Sequence, residues 1–263
     1  VGPAEAVAIL GAGGAAGAVN AVVGSGSLIT FPTLLAFGFP PVVANVSNNV
    51  GLVSGNISGA VGYRRELAGQ RGRLLRLGVF SAAGSLAGAA ALLSLPSSSF
   101  QLIVPALILI SCVLVLIQPW LSDRIIARRV RRASPAASQE GAVGTEGTSP
   151  ALAAGVFGAA AYGGYFGAAQ GVLVIGLLGT FLDEPLQRVN GAKNVLVTIV
   201  NGTAAIVYVI FAHIAWLVVL LIAVGSTIGG LLGARYGRRL PPLALRVFVV
   251  VIGVVSAAKL IFF

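Results

Sequence analysis

Residues 24–63 read GSGSLITFPTLLAFGFPPVVANVSNNVGLVSGNISGAVGY, and residues 169–208 read AQGVLVIGLLGTFLDEPLQRVNGAKNVLVTIVNGTAAIVY. Laid over one another at a shift of 145 residues, the two stretches need no gap. Gly26 meets Gly171, Leu28 meets Leu173 and Pro40 meets Pro185. Asn45, Asn49 and Asn56 meet Asn190, Asn194 and Asn201, and Tyr63 meets Tyr208. Further along, Ser81, Gly84 and Gly88 meet Ser226, Gly229 and Gly233, and Pro96 meets Pro241. The polar matches carry most weight, because an apolar composition does not generate them readily by chance. The chain therefore reads as two related halves, 1–121 and 151–263, a construction known from secondary transporters.

Inside each half the pattern is a glycine-rich break, a short apolar run, a proline and then an asparagine-bearing run. The breaks are Gly24-Ser25-Gly26-Ser27 and Gly167-Ala168-Ala169-Gln170-Gly171. The runs after them, Leu28–Phe39 and Val172–Leu182, fall short of the roughly 20 residues that cross about 30 Å of hydrocarbon. Such pieces are half-helices or re-entrant segments, tolerated at membrane depth where they line a cavity or pack on protein. Long apolar runs surround them: Ala4–Val23, Val42–Tyr63, Leu74–Leu95 and Phe100–Trp120 in the first half. The second half has Ala151–Ala168, Asn190–Ala212, Ile214–Ala234 and Leu243–Ile261. Val1–Val23 lacks a basic start, so it reads as a span and not as a cleaved leader.

Composition agrees. The 263 residues are 57% hydrophobic and 9% charged, with a mean hydropathy of +0.98. Soluble domains carry about a quarter charged residues, so this is an all-α, polytopic membrane protein. Its 36 glycines suit close helix packing in lipid. The formal charge of +10 lies in short clusters between apolar runs, a topology signal and not a nucleic-acid surface. One cysteine, Cys112, permits no disulfide within the chain, and no metal or cofactor site is expected.

Charge also orients the halves. The loop after Tyr63 carries Arg64, Arg65, Arg71, Arg73 and Arg76, whereas its equivalent near Phe211–Ala215 carries no Lys or Arg. The turn Ser94–Ser99 is uncharged, whereas its equivalent carries Arg235, Arg238 and Arg239. The basic side swaps between the repeats, which predicts inverted topology with about five segments per half, one of them short or re-entrant. The stretch 122–150 begins with Arg124, Arg128, Arg129, Arg131 and Arg132 and continues with Ala, Ser, Gly, Glu and Pro, so it reads as a cytoplasmic linker. Both termini are then outside, with Lys259 the only basic residue on that side.

Gly11-Ala12-Gly13-Gly14-Ala15-Ala16 matches a dinucleotide fingerprint, but the acidic residue expected about 20 positions on is missing. Glycines at helical spacing, Gly51, Gly55 and Gly59, Gly84 and Gly88, and Gly225, Gly229 and Gly233, predict tight helix contacts. Asn190, Asn194 and Asn201 share one helix face and serve either as interhelical bonds or as the lining of a substrate path. Lys193 either reaches the cytoplasmic surface near Arg188 or faces that path. The acidic residues all fall at loops, linker or chain ends, so no carboxylate relay crosses the core. His213 sits near an outer loop. Trp120, Trp216, Tyr63 and Tyr208 read as interfacial anchors.

Both quoted stretches, with GSLAGAAALLSLP (84–96) and GSTIGGLLGARYGRRLP (225–241), resemble the sulfite exporter TauE/SafE family of membrane permeases. The resemblance covers nearly the whole chain outside 122–150. It implies export of sulfite, an organosulfonate such as sulfoacetate, thiosulfate or another oxyanion. The second break usually holds more glycine than here, and Gln170 marks the departure. The expected function is secondary transport of a small anion across the inner (plasma) membrane. A passive anion channel is the alternative, and a hydrolase using Ser25 or Ser27 with His213 is a weaker one. The expected site combines Ser25, Gly26, Ser27, Gln170 and Gly171 with Asn45, Asn49, Asn190, Lys193 and Asn194. The expected partners are the anion and the lipid bilayer, with oligomeric state left open. Cysteines placed singly at Ala68, Glu140, His213 and Gly237 test the orientation. Only the one at 213 should label from outside; outside labelling at both 68 and 213 would mean parallel repeats.

Overall fold

In the computed structural model, residues 1–132, 149–236 and 242–262 are described. They form ten helices and no strand: α1 (Pro3–Val22), α2 (Ser27–Ala36), α3 (Pro41–Gly62), α4 (Arg71–Ser94), α5 (Ser97–Arg132), α6 (Pro150–Tyr165), α7 (Gln170–Phe181), α8 (Leu186–Phe211), α9 (Trp216–Tyr236) and α10 (Pro242–Phe262). Five of them, α1, α4, α5, α8 and α9, are long and apolar enough to cross a membrane by length and composition. The 10-residue α2 and 12-residue α7 rise about 15–18 Å, half a bilayer. Helix α5 continues to Arg132, into the stretch expected to be linker. Most of that linker, with Arg238, Arg239 and Pro241, lies outside the described residues.

Sequence explains where the helices begin. Pro40 and Pro185, matched in the repeat, precede α3 and α8, their fixed φ preset for the turn into a helix. The Ser149 hydroxyl accepts from Leu152 N at 3.1 Å and caps α6. Helix starts keep the repeat register: α3, α4 and α5 begin at 41, 71 and 97, and α8, α9 and α10 at 186, 216 and 242.

Packing is reciprocal. Helix α1 lies along α9 while α6 lies along α4, its repeat equivalents. Helix α2 leans on α10 while α7 leans on α5; α3 packs on α8, and α5 on α10. The glycine stripes are where these helices approach. A Cβ on Gly229 would run into the Gly14 carbonyl, on Gly225 into that of Leu10, and on Gly88 into that of Ala161. Dispersion between such close backbones is a main source of cohesion in lipid, where apolar burial drives little. Gly13, Gly14 and Gly17, the dinucleotide-like run, face Ile222, Gly225 and Ser226 in the same way. The outer surface is aliphatic, with Leu102, Val113, Leu116, Leu217 and Leu220 exposed as lipid contact requires.

The aromatic expectation needs correcting in part. Trp120 and Trp216 are exposed, as anchors should be, but Tyr63 and Tyr208 are fully buried. Each is held inward by its hydroxyl: Tyr208 donates to the Gly164 carbonyl and Tyr63 accepts from Asn190.

The halves also meet at a charged corner. Glu184, in the turn before α8, accepts from Arg73 at 3.1 Å and from Arg188 at 2.7 Å. This puts the start of α4 and the start of α8 on one face of the bundle. Burial alone would raise the Glu184 pKa; hydrogen bonds from Arg73 and Arg188, and their charges, outweigh it and hold the carboxyl below its ordinary value. A lowered folded pKa stabilises above the unfolded value of about 4.3 and is lost as pH falls through the folded value. Acidification below pH 5 should therefore lower the melting temperature of the detergent-solubilised protein, and Glu184→Gln should flatten that dependence. An unchanged pH profile would mean the corner contributes nothing.

Candidate functional site

Helix α1 stops at Val22 with the carbonyls of its last turn lacking helical partners. Gly24 then turns the chain with φ +86°, a left-handed conformation that glycine adopts freely. Water is scarce at this depth, so other side chains must satisfy those carbonyls. Lys193 donates to Asn20 O at 2.8 Å and to Ala21 O at 3.4 Å; Asn190 and Asn194 each donate to Ala21 O at 3.3 Å. Gln118 on α5 donates to Val23 O at 3.2 Å. The Asn20 side chain completes the turn, accepting from Gly26 N at 2.7 Å and donating to Asn56 at 3.2 Å.

The second break is built the same way from different residues. Asn45 donates to Tyr165 O at 3.0 Å, and Ala168 O accepts from Ser111 and Tyr162 at 3.1 and 2.8 Å. Ala169, the repeat equivalent of Gly24, keeps the left-handed turn at φ +57° despite its Cβ, at a cost of about 1 kcal/mol.

The two breaks touch. Gly171 N donates to Gly24 O at 3.2 Å, and a Cβ added to Gly24 would lie 2.6 Å from the Gly171 Cα. The N-terminal ends of α2 and α7 therefore meet here, although these helices pack on different neighbours. Helix N-termini carry a partial positive charge, which favours anions.

The expected residues divide into two groups. Asn45, Asn190, Asn194 and Lys193 cap helix ends with their donors, and Lys193 is completely buried. Its Nζ sits at the carbonyl end of α1. Ser25, Gly26, Ser27, Gln170 and Gly171 lie at the meeting point, all buried. Ser25 Oγ and both amide atoms of Gln170 have no hydrogen-bond partner, although each residue is 1% exposed. Ser25 and Gln170 are repeat equivalents flanking the Gly24–Gly171 contact. The Gln170 amide lies against Gly163, where any side chain would collide with it. Asn49 donates to Asn201 at 3.4 Å and leaves its Oδ1 unpartnered. Sequence reading missed Asn20, Gln118, Ser111 and Tyr162; each is a polar group inside an apolar run, which was the available signal. Among the described residues no His, Cys, Asp and Glu cluster could hold a metal ion.

The family profile described as Sulfite exporter TauE/SafE matches residues 9–260. The chain belongs to the sulfite exporter TauE/SafE family. It is thus a multi-pass inner-membrane transporter and not an enzyme. Its TauE/SafE-type sequence is 23% identical over 248 residues to a protein of Escherichia coli named "Probable membrane transporter protein YfcA", covering 94% of this chain and 86% of that one. A "Probable membrane transporter protein" of Haemophilus influenzae is 24% identical over 244 residues, covering 93% and 89%. No solved structure matches the chain significantly.

In this TauE/SafE chain, Gly24→Ala should cost at least about 1 kcal/mol from the left-handed backbone alone, with the clash against Gly171 added. The melting temperature of the purified variant measures this; a value equal to wild type would show that the contact is not tight.

Proposed function

We propose that the chain is a secondary carrier exporting a small oxyanion, sulfite or an organosulfonate, and that the anion binds where the two breaks meet. The observation that carries this reading is the pairing of two half-helix N-termini with the unpartnered Ser25 hydroxyl and Gln170 amide. Buried polar atoms in a native protein have partners, and here the missing partner is the cargo. Neutral donors and backbone N–H groups suit an anion that must also leave, since several fixed charges would trap it. Lys193 supplies one positive charge from behind the first break, with part of its hydrogen-bonding capacity committed to Asn20 and Ala21. Asn49 completes the lining, while Asn45, Asn190 and Asn194 hold the breaks open by capping them.

The proposal includes inverted halves, 1–121 and 151–263, that rock about this contact. The swapped basic loops, the matched helix starts and the Arg73–Glu184 pair support it. Parallel halves would set the end of α3 and the start of α8 a bilayer apart. Export needs no intramembrane carboxylate: an anion leaving a negative interior gains about 2.3 kcal/mol per charge per 100 mV, enough for roughly a 50-fold gradient.

Gln170→Ala and Ser25→Ala should each weaken sulfite or sulfoacetate binding about two- to tenfold, the worth of one neutral hydrogen bond, with melting temperature near wild type. Asn190→Ala and Asn194→Ala should instead lower stability. In proteoliposomes an imposed potential should drive saturable flux and counterflow. Unchanged affinity in both break variants, or flux that ignores potential and collapses with the pH gradient, would overturn the reading.

A further inference from the structure

A cavity of about 220 Å³ lies beside the break site and is not explained by it. Val22 and Val23, the residues just before Gly24, bring it to the first break. Gln187 at the start of α8 and Ser122 on α5 bring it to the face where Arg73, Glu184 and Arg188 cluster. Water occupies about 30 Å³ in the liquid, so the space admits an anion of several heavy atoms with some hydration.

Arg246, in the first turns of α10, is the single charged residue lining this cavity among the described residues. Its Nε is buried and has no hydrogen-bond partner. Asp123 on α5 interacts with it electrostatically but does not take up that N–H. Three amides, Gln118, Gln187 and Asn190, line the same space. Gln118 spends its Nε2 on Val23 O, and Asn190 spends its Nδ2 on Ala21 O and the Tyr63 hydroxyl at 2.9 Å. Both therefore tie the cavity wall to the break.

A guanidinium presents paired N–H groups in the geometry of an oxyanion edge. In partly dry surroundings its attraction is far stronger than in water, and an unmade hydrogen bond from it is costly.

We propose that Arg246 forms a second, outlying binding site for a small oxyanion, at the mouth on the basic face of the bundle. The site collects the anion and hands it to the Gly24–Gly171 contact. This inference rests on the transport reading above, adding to it a residue of charge selection separate from the central site. One cation serves better than a cluster, because the anion must move on by only the depth of the cavity.

The test uses purified full-length wild type, Arg246→Gln, Arg246→Lys and Ser122→Asp, with Gln170→Ala alongside. Each is titrated with sulfite and with sulfoacetate, reading thermal stabilisation and initial flux in proteoliposomes. Arg246→Gln should raise the half-saturating concentration about tenfold or more, as expected for one lost charge-assisted hydrogen bond, with the maximal rate far less affected. Arg246→Lys should restore part of the affinity. Ser122→Asp, which adds a carboxylate to the same cavity at a half-buried position, should also raise half-saturation, and it decides the matter with Arg246→Lys if Arg246→Gln does not fold. Unchanged half-saturation in the Arg246 and Ser122 variants, while Gln170→Ala still weakens binding, would overturn this inference and leave the transport reading standing. A wild-type protein that responds to neither anion would overturn both.

Discussion

A helix that ends in surroundings closed to water leaves carbonyls that other protein groups must satisfy, and α1 and α6 of this protein end that way. Every other arrangement in the central region answers that constraint. The last turn of α1 is closed by Lys193, Asn190 and Asn194 of α8, which belongs to the other half. The last turn of α6 is closed by Asn45 of α3, again from the other half, together with Tyr208, and Ser111 of α5 holds Ala168 in the break that follows. Each half therefore completes the backbone of its counterpart. Such donors matter because a buried acceptor left with none costs about 1–3 kcal/mol.

Long polar side chains can reach across only if the helices lie close. Glycine at the contact faces of α9, α4 and α3 removes the side chains that would hold the helices apart. Small-residue packing and polar capping are thus two parts of one design. Stripes of glycine set the distance between α1 and α9, and that distance sets where the end of α1 sits relative to α8. Because the repeat applies the device twice, the starts of α2 and α7 arrive at one point, Gly24 against Gly171.

Capping also explains why most of the asparagines are not free for a ligand. The donors of Asn45, Asn190 and Asn194 are committed to backbone, whereas Ser25 and Gln170, beside the contact, keep polar atoms without a partner, as Asn49 does with one oxygen. Gly163 opposite makes room for the Gln170 amide. The two sides of the site are therefore chemically unequal although their backbones correspond. A hydroxyl stands on one side of the contact and an amide on the other.

Hydropathy, basic clusters and the gapless repeat were enough to read an all-helical membrane chain of two five-segment halves, because lipid imposes length and apolarity on every span and the repeat imposes register. The same features placed both breaks and both short helices, since only glycine and small residues suit a turn at membrane depth. Side-chain direction was another matter. Tyr63 and Tyr208 look like interfacial anchors in a linear reading, yet both turn inward because a carbonyl or an amide awaits their hydroxyls. Lys193 could have reached for the surface, and tertiary packing aims it at the end of α1. Asn20, Gln118 and Arg246 lie far apart in the chain, and only folding brings them around one break and its cavity. Sequence alone determined which backbone groups would be left wanting, because those follow from where helices stop. Which side chains answer them depends on which helices become neighbours, and that was decided by long-range packing.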